Sequence, residues 1–303
     1  MKKIYLTFDM ETIVSRLSFN PNIYTNLMLG SLYIAKELEK KALKATFFIS
    51  LAPKTDVVDT QEYIENAKML IRALNTYKNI KLQPHIHMKN LPLSFDTPSD
   101  LFSDYTLEQQ VEALTWAKNI FNECGVKEID SFRPGSYSAN EQYYNALTQA
   151  GYKYSSIMIK ENIHYDMITQ EVTTQVPYKT DQGIIEYPVT SLRFKSIKGK
   201  EETINLSPDF FTYNSIKEVF EKSNYINVNF HSFSIFTNRL ARENHPKQLI
   251  NNLKYFFFEK PLIKVLKLCN FELINHQTLF KTSFDNWLVQ LEAYKNSTYV
   301  IGE

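Results

Sequence analysis

Three short stretches of this chain repeat one pattern: polar and apolar residues alternate, and the polar set ends in groups that ionise. In Ile4-Tyr5-Leu6-Thr7-Phe8-Asp9-Met10-Glu11 the polar set is Tyr5, Thr7, Asp9 and Glu11. In Leu82-Gln83-Pro84-His85-Ile86-His87-Met88 it is Gln83, His85 and His87. In Ile226-Asn227-Val228-Asn229-Phe230-His231 it is Asn227, Asn229 and His231. Residues at i and i+2 of a strand share a face, so each stretch predicts a strand with an apolar side for helices and a polar side. His-x-His on one face lets both imidazoles reach a single cation. Any one of these strands alone reads equally as a sheet edge with a solvated polar face. Together, with acid or histidine at the same end, they predict one cavity lined by carboxylates and imidazoles. The ionisable ends are C-terminal, where α/β folds place their sites.

The elements that must carry these strands alternate along the chain. Strands are expected at 3–8, 45–50, 79–84, 128–132, 183–189 and 225–230, and helices at 25–41, 59–77, 107–124, 140–150 and 213–222. Helical patterns follow at 246–259 and 261–269, and long loops are expected at 91–106 and 157–182. Strand–helix alternation at 303 residues predicts one α/β domain, with a barrel favoured over an open sheet.

Composition removes several function classes. The formal charge of +1 argues against a nucleic-acid partner held by bulk electrostatics. Two cysteines, Cys124 and Cys269, make neither a disulfide framework nor a cysteine metal cluster. With 7 glycines there is no phosphate loop or dinucleotide fingerprint, and no Gly-x-Ser-x-Gly elbow for a serine hydrolase. No run is long and uncharged enough for an integral membrane segment, and Asp9 and Glu11 interrupt any leader-like start, so a cytoplasmic protein is expected. His164, His245 and His276 lie outside the polar pattern and are expected in structural or surface positions.

The order of Thr7-Phe8-Asp9-Met10-Glu11, His85-Ile86-His87, Phe132-Arg133-Pro134-Gly135-Ser136-Tyr137 and Phe230-His231-Ser232-Phe233 resembles the polysaccharide deacetylase (NodB-homology) family, carbohydrate esterase family four. Gly183-Ile184-Ile185-Glu186-Tyr187-Pro188-Val189 is similar to the Glu-x-Pro strand many of those proteins carry. The resemblance covers about residues 4 to 235 and is nearest to the O-antigen and capsule branch. The family's commonest first motif has adjacent aspartates, and its commonest second motif has histidines four apart. Here Met10 separates Asp9 from Glu11, His85 and His87 are two apart, and residue 89 is Lys. Both departures occur together in the O-antigen branch.

The resemblance implies a single domain over 1–303, a distorted (β/α) barrel of about seven parallel strands, with 240–303 a C-terminal helical and strand completion of the barrel. It implies removal of an acetyl group, N-acetyl before O-acetyl, from a sugar by means of one divalent cation. Glu11, His85 and His87 match the metal ligands, with Zn expected first and Mn, Fe, Co or Ni able to use the same donors. Asp9 matches the base, Arg133 the arginine that pairs with it, and His231 is the expected general acid. A backbone N–H of Ser136 or Tyr137 is expected to face the oxyanion, and the Tyr137 ring to meet a sugar. Asn227 and Asn229, read from the strand pattern alone, are expected beneath His231, as support for it or as plain buried amides.

The expected substrate is an acetylated sugar nucleotide or lipid-linked glycan in surface-polysaccharide assembly. Two alternatives stand beside this one. A metal-dependent amidohydrolase or phosphoesterase also ends a strand in His-x-His, but carries that pair early in the chain, whereas here Asp9 and Glu11 come first. A carbohydrate-binding relative without turnover is the other. The pattern leaves the oligomeric state open.

Overall fold

The structure is a computed structural model that describes residues 2–11, 23–53, 59–157, 176–195, 201–205, 223–232, 288–289 and 291–303. The expected helices at 213–222, 246–259 and 261–269, together with His164, His245, His276 and Cys269, lie outside the described residues.

The strands are β1 (Lys3–Met10), β2 (Ala45–Ser50), β3 (Ile80–Ile86), β4 (Ser131–Pro134), β5 (Tyr154–Ser155), β6 (Tyr178–Lys179), β7 (Ile185–Glu186), β8 (Ser191–Lys195), β9 (Glu201–Asn205), β10 (Tyr225–His231) and β11 (Thr298–Tyr299). The helices are α1 (Ile23–Lys40), α2 (Thr60–Leu74), α3 (Leu107–Glu123) and α4 (Tyr143–Gln149). Among the described residues, β10, β1, β2, β3, β4, β5 and β7 run parallel in that order. β6 adds antiparallel to β7, and β8 pairs with β9 as a separate antiparallel ribbon. β11 pairs with Ile4 and Tyr5, on the stretch of β1 that precedes the pairing of Thr7–Met10 with β2.

This strip of strands curls into a barrel. Arg133 on β4 reaches Asp9 on β1 at 2.7 Å and Asn229 on β10 at 2.9 Å. In a flat sheet those strands would stand roughly 14 and 19 Å from β4, beyond the reach of one side chain. The two ends of the strip also meet. Just past β7, the Thr190 N–H donates to the Asn227 carbonyl at 2.8 Å, and the Asn227 N–H donates to Thr190 Oγ1 at 2.8 Å. The fold is thus the α/β barrel that the strand–helix alternation predicts, with the distorted form and about seven parallel strands that the resemblance implies.

Period-two alternation then sorts the side chains. Ile4, Leu6, Phe8 and Met10 leave the outside of β1 and pack with Ile34 and Leu38 of α1, Ile64, Leu70 and Ile71 of α2, and Leu114 and Phe121 of α3. Burying each such side chain contributes roughly 1.5–3 kcal/mol. Phe8 stacks on Phe230 at 4.6 Å between ring centroids, fixing β1 against β10 one residue before Asp9 and His231. Asp59 caps α2 by accepting the Glu62 N–H, and Thr106 with Gln109 forms a capping box on α3. Inside the barrel base lies a second cluster: Tyr5, Phe48, Tyr187, Tyr225 and Ile301. Ile301 reaches it from the C-terminal segment, whose N–H at that residue donates to Thr46 Oγ1 at 3.0 Å.

Candidate active site

At the opposite end of the barrel, the C-terminal ends of β1, β3, β4 and β10 bring the predicted residues together. Strand register does most of this: Asp9 lies directly opposite His231, and His85 directly opposite Arg133. Glu11 follows β1 and His87 follows β3, each one residue past the last paired position.

Glu11, His85 and His87 are buried, and one ligand atom from each lies within 4.8 Å of the others. His87 Nε2 is 2.8 Å from Glu11 Oε2, and His85 Nε2 is 3.5 Å from the same oxygen. His85 Nδ1 lies 2.9 Å from the Arg133 carbonyl, which only accepts, so Nδ1 carries the proton and Nε2 presents its lone pair. His87 has a carboxylate oxygen at each nitrogen, Glu11 Oε2 at Nε2 and Asp100 Oδ2 2.9 Å from Nδ1, so a cation at Nε2 would leave the ring proton on Nδ1, facing Asp100. Two imidazole Nε2 atoms and a carboxylate oxygen thus converge, a donor set that fits one divalent cation. Ser232 holds Glu11 in place. Its Oγ donates to the Glu11 carbonyl at 3.1 Å and accepts the Glu11 N–H at 3.2 Å, while its own N–H donates to the Asp9 carbonyl at 3.1 Å.

Beside this group stands the Asp9–Arg133 pair. Arg133 is fully buried and directs its N–H groups at Asp9 Oδ1, Asn229 Oδ1, Thr7 Oγ1, Ser156 Oγ and the Ser156 carbonyl, all within 2.9 Å. The flat guanidinium lies over the Phe48 ring at 4.3 Å. Asn229 Nδ2 donates to Asp9 Oδ2 at 2.8 Å, so both carboxylate oxygens are held. Burial alone would raise the Asp9 carboxyl, but the Arg133 charge, helped by His85 and His231, outweighs it and holds the group below its usual value. His231 Nε2 sits 3.8 Å from both Asp9 Oδ2 and Glu11 Oε1. With 19% of its side chain exposed, His231 is the histidine of this group that faces the opening.

The turn after β4 closes one side. Ser136 and Tyr137 both adopt left-handed backbone, with φ of 56° and 54°, which costs energy for residues with a Cβ and marks a constrained turn. Gly135 lies so close to His87 that a Cβ there would fall 2.4 Å from Nδ1. Tyr137 turns inward, its hydroxyl accepting from Asn229 Nδ2, while Ser136 stays exposed. Asn227 lies one layer below: its Nδ2 donates to the Tyr187 carbonyl at 2.9 Å and to Ser156 Oγ at 3.1 Å, tying β10 to the far side of the barrel. Gln83, in the same alternating set as the histidines, binds the entry to β4, accepting the N–H groups of Asp130 and Ser131.

The sequence reading misses Asp100, which lies in the long loop after β3 with no periodic signal, and the clamp made by Ser232, though the Phe-His-Ser motif names that residue. A third buried carboxyl, Glu186, lies outside the barrel wall against α4. Its oxygens accept the Ile157 N–H at 2.8 Å and the Tyr144 hydroxyl at 3.3 Å. Burial, outweighing these donors, pushes it up to about 7.

Among the described residues, no helix is long and apolar enough to cross a membrane. No family model matches the sequence, and no curated protein matches it. Several solved structures are similar. One is a protein from Mycobacterium smegmatis assigned as a polysaccharide deacetylase, at 14% identity over 77% of this chain and 78% of its own, with a TM-score of 0.49. The 4-alpha-glucanotransferase of Thermococcus litoralis follows at 11% identity, over 77% of this chain and 33% of its own, with a TM-score of 0.46. A protein from Bordetella bronchiseptica, assigned as a polysaccharide deacetylase involved in O-antigen biosynthesis, matches at 12% identity over 95% and 90%, with a TM-score of 0.40. At these values the likenesses carry no weight for chemistry, which rests on the residues of the site itself.

Proposed function

We propose that this chain is a metal-dependent carbohydrate deacetylase. It removes an acetyl group, N-acetyl by preference, from a sugar nucleotide or lipid-linked glycan precursor of a surface polysaccharide such as O-antigen or capsule. The observation that carries this reading is one arrangement: a carboxylate locked to a buried arginine, a Glu-His-His donor set beside it, and a histidine 3.8 Å from both acids. The motif order along the chain supplies the substrate class.

In this reading Glu11, His85 and His87 hold the cation, Zn before Mn, Fe, Co or Ni. When bound, such an ion lowers the pKa of water and polarises a carbonyl. The remaining chemistry belongs to side chains. Asp9, kept ionised by Arg133, accepts a proton as a water oxygen adds to the acetyl carbon. The developing oxyanion accepts hydrogen bonds from the backbone N–H of Ser136 or Tyr137. His231 gives its proton to the departing nitrogen as the C–N bond breaks, leaving acetate and a free amino sugar. Asn229 keeps the second Asp9 oxygen oriented, and the Tyr137 ring borders the sugar.

Elemental analysis of the purified protein tests the first half, with about one divalent ion per chain expected and lost in the His85→Ala/His87→Ala double variant. Acetate release from a panel of N-acetylated sugar nucleotides and oligosaccharides tests the second. A wild type that refuses Zn, Mn, Co and Ni on reconstitution would sink the hydrolase reading. Sugar binding with metal but no acetate release would make the chain a binding protein.

A further inference from the structure

We propose that Asp100 is a positioning residue for the cation site, acting through His87; this inference rests on the metal-dependent reading above. The His87 ring is fully buried between two carboxylates, Glu11 Oε2 at 2.8 Å from Nε2 and Asp100 Oδ2 at 2.9 Å from Nδ1. Gly135 lies against one face of the ring, so close that a Cβ there would fall 2.4 Å from Nδ1 and 2.5 Å from Cε1, and the ring is closed off on that side. With a cation at Nε2 the ring proton would sit on Nδ1 and be donated to Asp100, and a carboxylate acceptor makes the imidazole a stronger donor to a metal than a neutral acceptor does. His85 has only a carbonyl, that of Arg133, at its Nδ1. The two histidines are therefore unequal ligands, and His87 is the one whose strength a loop controls.

That loop is built to hold a fixed shape. The Tyr105 hydroxyl lies 2.7 Å from the carbonyls of both Thr97 and Ser99, its single proton shared between them, bracketing the segment that leads into Asp100. The Leu101 N–H donates to Ser99 Oγ at 3.1 Å. Further along, the Ser103 N–H donates to Ser138 Oγ at 2.9 Å, and Asn140 Nδ2 donates to the Ser103 carbonyl at 2.7 Å. The loop that presents Asp100 is thereby sewn to the turn that presents Gly135. One assembly grips the His87 ring by its edge and by its face.

The test uses metal-stripped full-length protein and three chains: wild type, Asp100→Ala and Asp100→Asn. Zinc affinity is read by competition with a chromophoric chelator, coordination by the visible spectrum of the cobalt form, and fold by melting of the metal-free protein. Asp100→Ala is expected to weaken zinc about 10- to 100-fold. Asp100→Asn, whose neutral amide oxygen still accepts from Nδ1, should recover the part of that affinity that comes from ring orientation, falling between the alanine variant and wild type, with a cobalt spectrum close to wild type. Unchanged zinc affinity in Asp100→Ala overturns the proposal, as does a loss that Asp100→Asn fails to rescue or one matched by collapse of the metal-free melting point. A wild type that binds neither zinc nor cobalt removes the metal-dependent reading itself, and this inference with it.

Discussion

The two ends of the barrel interior are made by the same strands and differ completely in character. At the base, Tyr5, Tyr187, Tyr225 and Ile301 form an aromatic plug, and Phe48 joins it to the mouth by lying under the Arg133 guanidinium. At the mouth, Asp9, Glu11, His85, His87 and Arg133 are equally buried yet ionisable. Along β1 the change takes two steps, Tyr5 to Thr7 to Asp9, each roughly 7 Å higher. The base is held by apolar burial, which is not directional. The mouth is held by hydrogen bonds and opposite charges, which tolerate no missing partner. A single wall can therefore be a hydrophobic core at one end and a reaction centre at the other.

The largest expected effect comes from breaking the mouth. Arg133→Met keeps volume but strips Asp9, Asn229, Thr7 and Ser156 of their shared donor. Urea unfolding should report a loss of about 3–5 kcal/mol, because a carboxylate is left buried and uncompensated. A loss under about 1 kcal/mol would show that the mouth contributes little to folding, against the directional picture. Breaking the base should cost somewhat less and leave chemistry alone. Ile301→Ala opens a cavity among tyrosines and is expected to lose about 2–4 kcal/mol, with metal content and turnover at wild-type values. A fall in metal uptake would mean that the two ends are coupled.

The third variant separates position from stability. Gly135→Ala puts a methyl group where the His87 ring lies. Zinc affinity and acetate release should each fall about a hundredfold, the scale of a misplacement near 1 Å, while the melting point of the metal-free protein moves far less than in Arg133→Met.

The smallest effect concerns two of the buried carboxyls, Glu186 and Asp9. Glu186 has a folded value near 7 against an ordinary 4.5, so its contribution to stability is complete below about 4.5 and is lost as pH rises through about 7. Asp9 lies below its ordinary 3.8, so its contribution is present above that value and is lost as pH falls through the folded one. The difference in unfolding free energy between wild type and Glu186→Gln should slope between pH 4.5 and 7 and flatten above it. A flat difference across that range would mean that Glu186 ionises normally.

The mouth was legible because strand periodicity is strict: two-residue spacing in three separate segments forces their polar sides to one interior once the sheet closes. The strand at 45–50 appears at the bounds expected from its apolar run. Where periodicity is short or interrupted, the reading slips. The strand expected at 128–132 begins later, at Ser131, because the Glu128 carbonyl and the Asp130 N–H are taken by the Gln83 side chain. The strand expected at 183–189 is regular only over Ile185–Glu186, although its ladder runs on from the Tyr187 N–H to the Ser155 carbonyl and from the Val189 N–H to the Ile157 carbonyl before Thr190 meets β10. β5 has two residues and β11 has two, too few to show any period. Asp100 was beyond reach for a different reason: its role depends on where a loop comes to rest, and loops have no repeat to read.

The place of β1 in the barrel has a consequence for how the chain is made. Its partners are β2, which follows soon, and β10 and β11, which begin at Tyr225 and Thr298. At ribosomal rates of about 5–20 residues per second, roughly ten to forty seconds separate the emergence of β1 from that of β10. For that interval one edge of β1 has no strand beside it, although it carries Asp9 and leads directly into Glu11. Newly made chains should therefore need sheltering during synthesis, because the acid that defines the site is made well before the strand that encloses it.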